Sequence, residues 1–228
     1  MKYLILLFTF ILNVYIGLAQ NTIEASNTMN TLNTNYYNGF WIPAQPTETI
    51  IKGSVYLFPN WVGQYKVISK DGVSTNMFNL NYNIKNQTLE SSISKDSVFQ
   101  YNIDKIDYFT HSNNKYKVFN DDNLKGIFLE IIFNDKIKVY KGYTISIDLG
   151  VVNQLTQQKF SPDSYIQDFD YYFFTNDKYE KFKPSKKNIL KYLKDKTTEM
   201  KEYLSKHDFS YTNDQDLKVI LNYYYNLN

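Results

Sequence analysis

Cysteine and arginine are both missing from this sequence, and histidine occurs only twice. Without cysteine there are no disulfides, no thiol nucleophile and no thiolate metal site. Lipid attachment at a processed N-terminal cysteine is closed for the same reason. Without arginine the chain lacks the planar fork that reads phosphates and guanines bidentately, so nucleic acid is not an expected partner. With two histidines, His111 in a turn-rich stretch and His207 near a helix end, no metal pair at helical spacing can be built. No G-x-S-x-G surrounds any serine, and the eight glycines form no phosphate-cradling loop. "NDDNLKG" at 120–126 has Lys125 where a calcium loop needs an oxygen ligand, so it reads as a turn. Asp104 with Asp107, and Asp168 with Asp170, are close in sequence. Such pairs are unavoidable among 23 acidic residues and read as solvated loops. No catalytic residue, metal or cofactor is expected.

What is present is hydrophobic residue at 43%, enough for a packed core, and a near-balanced charge of +2. The chain opens "MKYLILLFTFILNVYIGLAQ": Lys2, an apolar run, then Gly17-Leu18-Ala19. This is the order of a secretory signal peptide over 1–19. The run is shorter than the ~20 residues of a spanning helix and Asn13 interrupts it. The expected mature protein starts at Gln20, which its mass checks, and no later run is long enough to span a membrane. The expected location is the periplasm or the cell surface.

Residues 20–48 read as a polar, flexible leader and an extended segment leading into a sheet, with Pro43 and Pro46 suited to an edge. From 49 to 183 strand follows strand. Phe78, Leu80, Tyr82 and Ile84 alternate with Asn79, Asn81 and Asn83, a period of two. Lys85-Asn86-Gln87 and Asn134-Asp135 read as turns, the apolar phase slips between Ile103 and Ile106, and 150–168 reads as a long loop. Short turns imply antiparallel neighbours. After Pro184 the period changes to helical over 184–228. Ser185 suits a helix cap, Asp195 a kink, and Thr212 with Gln215 a capping box. Leu217, Ile220, Leu221 and Tyr224 fall at i, i+3, i+4 and i+7. This stripe is expected to pack on the sheet, with the Phe78–Ile84 face and Ile145 and Ile147 as its partners. The expected fold class is α+β: a mostly antiparallel curved sheet or open barrel with a C-terminal helical segment packed on it.

Gly53-Ser54-Val55-Tyr56-Leu57, then Trp61 and Gly63, then Leu80-Asn81-Tyr82-Asn83-Ile84 with Leu89-Glu90, and a Lys-rich ending that runs into Tyr-Tyr-Asn, stand in a distinctive order. Together they resemble an uncharacterised family of exported Bacteroidetes proteins over most of residues 50–228. That family usually carries arginine where this chain has Asn81. The resemblance implies export and architecture but no mechanism. Trp41, Trp61 and Tyr82 are the candidate binding residues, since such rings can stack on sugars or grip a peptide. The expected function is a non-enzymatic, envelope-associated interaction or structural protein, its partner an envelope protein, a glycan or an apolar ligand. A carrier holding a lipid-like ligand in a curved sheet is the alternative, and an unrecognised hydrolase the second.

Overall fold

A computed structural model describes residues 39–43, 51–94, 97–119, 124, 126–175 and 178–227. The expected signal peptide, the polar leader and most of "NDDNLKG" lie outside the described residues. The strands are β1 (Phe40–Pro43), β2 (Val62–Ser69), β3 (Ser74–Asn79), β4 (Asn81–Asn83), β5 (Thr88–Ser94) and β6 (Ser97–Gln100). They continue as β7 (Ile106–His111), β8 (Asn114–Phe119), β9 (Ile127–Asn134), β10 (Lys138–Asp148), β11 (Ser164–Thr175) and β12 (Lys178–Phe182). Helices α1 (Lys186–Tyr192), α2 (Thr197–Lys206) and α3 (Asp214–Asn226) follow. The larger sheet runs β12-β11-β10-β9-β8-β7-β2-β3 and the smaller β1-β6-β5-β4. Every strand pair in both is antiparallel. The larger sheet curves but ends on two different strands, so it is an unclosed barrel. This is the α+β class that the strand and helix periods predict.

One row of cross-strand partners explains how the layers are filled. Val67, Phe109, Tyr116, Glu130, Lys141, Tyr171 and Phe182 are successive neighbours across seven ladder positions and share a face. Val67, Phe109 and Tyr116 belong to a first core, closed by Leu80, Tyr82, Leu89 and Phe99 of the smaller sheet and its flanks. Tyr171 and Phe182 belong to a second core, closed by the helices. Glu130 and Lys141 stand between the two. The opposite face carries a smaller cluster of Phe119, Leu124, Leu129 and Tyr140.

Several local expectations are corrected. Phe78–Ile84 is not one strand. Met77, opposite Tyr65, takes the inward position in β3 and leaves Phe78 65% exposed. The chain then crosses at Leu80 into the smaller sheet, where Tyr82 and Ile84 point inward. The slip before Ile106 is a single 3-10 turn, Ile103–Lys105, capped by Asn102. Residues 54–58 form no strand of their own, though Leu57 N–H donates to Tyr82 O and Ile84 N–H to Val55 O. The long loop ends at Asp163 because β11 begins at Ser164.

Ser185 caps α1 as its position predicts, accepting from Asn188 N–H at 3.2 Å. The cap of α3 is Asn213 rather than Thr212: its side chain accepts from Gln215 and Asp216 N–H. The helix interrupts at Asp195, whose carboxylate accepts from Tyr224 Oη at 2.6 Å. The α3 stripe is buried in the second core with Ile132, Val139, Tyr171 and Phe173. Its partners are therefore not Leu80, Tyr82 and Ile84, which the smaller sheet already occupies, nor Ile145, which packs on the first core. Ile147 is 45% exposed.

Candidate functional site

Of the candidate aromatics, Tyr82 and Trp61 do not share a surface. Tyr82 has no exposure and packs edge-on against Phe128 at 5.3 Å, with its hydroxyl on Gln87. A ring enclosed on all sides cannot stack on a ligand, so Tyr82 is a core residue. Trp61 is half-buried, edge-on to Tyr56 at 4.5 Å. Trp41 lies in β1 opposite Phe99, and its side chain is outside the described residues.

The Asn-Tyr-Asn strand is a staple. Buried Asn81 accepts from Phe58 N–H at 3.0 Å and donates to Phe58 O at 2.9 Å, satisfying a backbone that has no strand partner. Asn83 accepts from Asn86 N–H in the turn and donates to Glu90 at 3.2 Å. Glu90, 2% exposed and opposite Asn81, also accepts from Tyr56 Oη at 2.8 Å and Thr88 Oγ1 at 2.6 Å. Burial, and then the bond to Glu90 and its charge, push the Tyr56 hydroxyl well above its ordinary range, so it stays a donor. The motif thus fastens the 51–58 segment to the smaller sheet.

Between the two cores lies a polar seam. Tyr143 Oη donates to buried Glu130. Lys141 Nζ lies 2.7 Å from Asp214 of α3 and over the Phe169 ring at 4.1 Å. Tyr171 Oη donates to the same Asp214. Burial raises the Glu130 carboxyl above its usual range; the Tyr143 bond opposes this, and the Asp214 charge adds to it. The seam joins α3 to the sheet, and Glu130 at 2% exposure has no approach for a substrate. His111 stacks on Tyr65 at 4.3 Å and His207 meets the Tyr203 carbonyl at 2.9 Å, both packing roles. Among the described residues no three His, Asp or Glu side chains gather as a metal site.

The exposed apolar surface lies elsewhere. β10 and β11 outlast their neighbours: β9 pairs with β10 only as far as Gly142, and β12 with β11 only from Tyr171. The hairpin runs on to Asp148 and Ser164, six residue pairs beyond Gly142 and so about 20 Å, with, among the described residues, only the 52–56 segment bonded along β11, Lys52 N–H to Asp163 O and Tyr165 N–H to Lys52 O, both at 2.8 Å. At its end Leu149 is 73%, Val151 64%, Leu155 94% and Phe160 72% exposed, with Ile147 and Ile166 just behind. Several polar side chains of this tip bond back to its own backbone, while Gln154, Gln157 and Gln158 stand exposed. Asn153 Oδ1 accepts from Leu155 and Thr156 N–H, Asp163 Oδ1 from Gly150 N–H, and Ser161 Oγ from Val151 N–H. Phe160 N–H donates to Val151 O, Asn153 N–H to Gln158 O and Gln157 N–H to Asn153 O. A Cβ on Gly150 would lie 1.8 Å from Ser161 O, so only glycine lets the two sides close. Lys159 is paired with Asp163 at 2.5 Å. The sequence signal was available: five large apolar residues in a stretch, 149–160, with one charge.

No helix among the described residues is long and apolar enough to cross a membrane. No protein-family model, curated protein or solved structure matches this chain.

Proposed function

We propose that this chain is an exported, envelope-associated binding protein that docks the tip of its β10–β11 hairpin into the outer part of a lipid layer. The observation that carries this reading is the tip itself: exposed Leu149, Val151, Leu155 and Phe160 on a loop that bonds the N–H groups of Gly150, Val151, Asn153, Leu155, Thr156, Gln157 and Phe160 within itself. A lipid interface favours apolar side chains but penalises unbonded backbone and unpaired charge. The tip offers the apolar side chains, bonds these donors within itself and pairs its one lysine with Asp163. The Lys2–Ala19 pattern supports export. The carrier alternative needs a hollow inside the curved sheet. Tyr65, Tyr82, Phe109 and Phe128, each at most 2% exposed, fill that space instead.

Flotation with phosphatidylcholine vesicles, with and without phosphatidylglycerol, tests the reading. The protein should float with both kinds, and Leu155→Gln with Phe160→Gln should reduce binding at least tenfold. Failure of the unaltered protein to float, or equal flotation of the variant, overturns the proposal. So does loss of a dimer in the variant without vesicle binding, which would make the tip a self-association surface.

A further inference from the structure

The outer face of the larger sheet, at its β3 edge, carries a groove of about 430 Å³. We infer that this groove binds an acidic glycan, one whose sugar units carry a carboxylate. Its lining lies in two rows across three strands. In the first row Thr110 of β7 and Asn76 of β3 are the direct cross-strand partners of Lys66 of β2, one on either side of it. The second row lies two residues further along each strand, with Ser112 just past β7, Gln64 on β2 and Phe78 on β3. Residues two apart on a strand share a face, and buried Tyr65 and Met77, between the two rows, mark the opposite one. Neighbouring strands lie ~4.8 Å apart and residues two apart on a strand ~6.8 Å, so the six positions gather within about 10 by 7 Å.

These side chains have unused bonding capacity. Gln64, Asn76, Thr110 and Ser112 make no side-chain hydrogen bond to any described residue. Lys66 has no carboxylate partner among the described residues, and no described Asp or Glu lines the groove. The Phe78 ring is 65% exposed and has no aromatic partner among the described residues. A wholly apolar ligand would strip water from four amide and hydroxyl groups without replacing it, at a cost in free energy. A sugar replaces it: its hydroxyls bond to the amides and hydroxyls while its apolar ring face lies on Phe78. The first row selects the charge. One ammonium flanked by a hydroxyl and an amide offers three donors to a single carboxylate, and charge-assisted bonds of this kind are the stronger ones. One cation matches a singly charged anion, so a uronic acid, with its carboxylate and ring face on one small unit, fits the two rows together. The groove is separate from the hairpin tip, and neither proposal rests on the other.

Calorimetric titration of the whole protein with trigalacturonate and with a hyaluronan hexasaccharide, each as the acid and as the carboxyl methyl ester, tests the inference. At least one acid should bind, and its methyl ester should bind at least fivefold more weakly. Phe78→Ala should weaken the acid at least tenfold with the urea midpoint held, since the ring is exposed. Lys66→Gln should lower the acid to the level of its ester, whereas Lys201→Gln on α2 should change neither. Absence of binding by both acids overturns the inference. So does binding insensitive to Phe78→Ala, or a methyl ester that binds as tightly as its acid.

Discussion

Leu221→Ala asks whether the C-terminal helices belong to the same cooperative unit as the sheet. Leu221 is 1% exposed and sits in the second core, whose sheet side is Ile132, Val139, Tyr171 and Phe173. Truncation removes three carbons from a fully apolar site, which is about 2–2.5 kcal/mol of transfer free energy. The space left behind adds to this if the neighbours do not collapse into it, for a total of about 2–5 kcal/mol. Tyr171 and Phe173 are held by the β10 ladder, so collapse is restricted and the upper half of that range is expected. For a chain of this size the loss lowers the melting temperature by about 4–20 °C. Val219→Ala is the control: it lies on the same helix but is 38% exposed, and alanine's better helix propensity offsets part of what is lost. Its effect should stay within about 0.5–1 kcal/mol. Urea unfolding followed by tryptophan fluorescence and by far-ultraviolet dichroism separates the two halves. Both tryptophans, at 41 and 61, lie in the N-terminal part, whereas the helical signal comes from 186–226. One unit requires both probes to shift together with an unchanged slope. If the dichroism transition moves and the fluorescence transition does not, or if Leu221→Ala matches Val219→Ala, the joint-core account is wrong.

The buried carboxyl of Glu130 gives a pH signature. Its folded value is raised above the unfolded one, so the folded state holds the proton more tightly. Stability should therefore be greatest below the unfolded value and fall as pH rises through the raised one. Glu130→Gln should be more stable than the unaltered protein at pH 7, with the advantage vanishing by about pH 4; thermal unfolding across that range checks it, and an advantage that persists at pH 4 contradicts it. Asn81→Ala should destabilise by about 2–4 kcal/mol in urea, because the Phe58 N–H and C=O both lose their partner. Asn81→Asp should not rescue it, since the donor to Phe58 O is still missing; full recovery would mean that only the acceptor matters.

The period of two and the period of 3.6 were enough to read the antiparallel strands and the helical ending from sequence. The Leu217–Tyr224 stripe could be placed on one helix face for the same reason. Its partner could not be read, because two strips of one sheet face offer equally apolar residues and only the topology says that the smaller sheet has already covered one. Phe78 looked continuous with Leu80–Ile84 because alternation is blind to a chain crossing between sheets. The cap of α3 moved by one residue, from Thr212 to Asn213, since both side chains can accept a backbone hydrogen bond. Tyr82 read as a binding aromatic because a ring that fills a core and a ring that lines a surface carry the same letter. Asn81 and Glu90 are far from Phe58 and Tyr56 in sequence, so their shared staple is visible only once β4 and β5 are paired.

The order of strands in the larger sheet also sets an order of events. From β7 to β12 each strand lies beside the next in sequence, so pairing can advance hairpin by hairpin with little chain to close at each step. β2 is different: its neighbour β7 follows only after β3 and three strands of the smaller sheet, β4 to β6, have intervened between Ser69 and Ile106. The β2–β3 hairpin therefore waits with an open edge while the chain emerges. The second core waits longer still, since α3 follows every strand that it covers and Asp214 must reach back to Lys141. A chain arranged in this way stays unfinished during synthesis, since the last helix locks the sheet only after every strand it covers has been made.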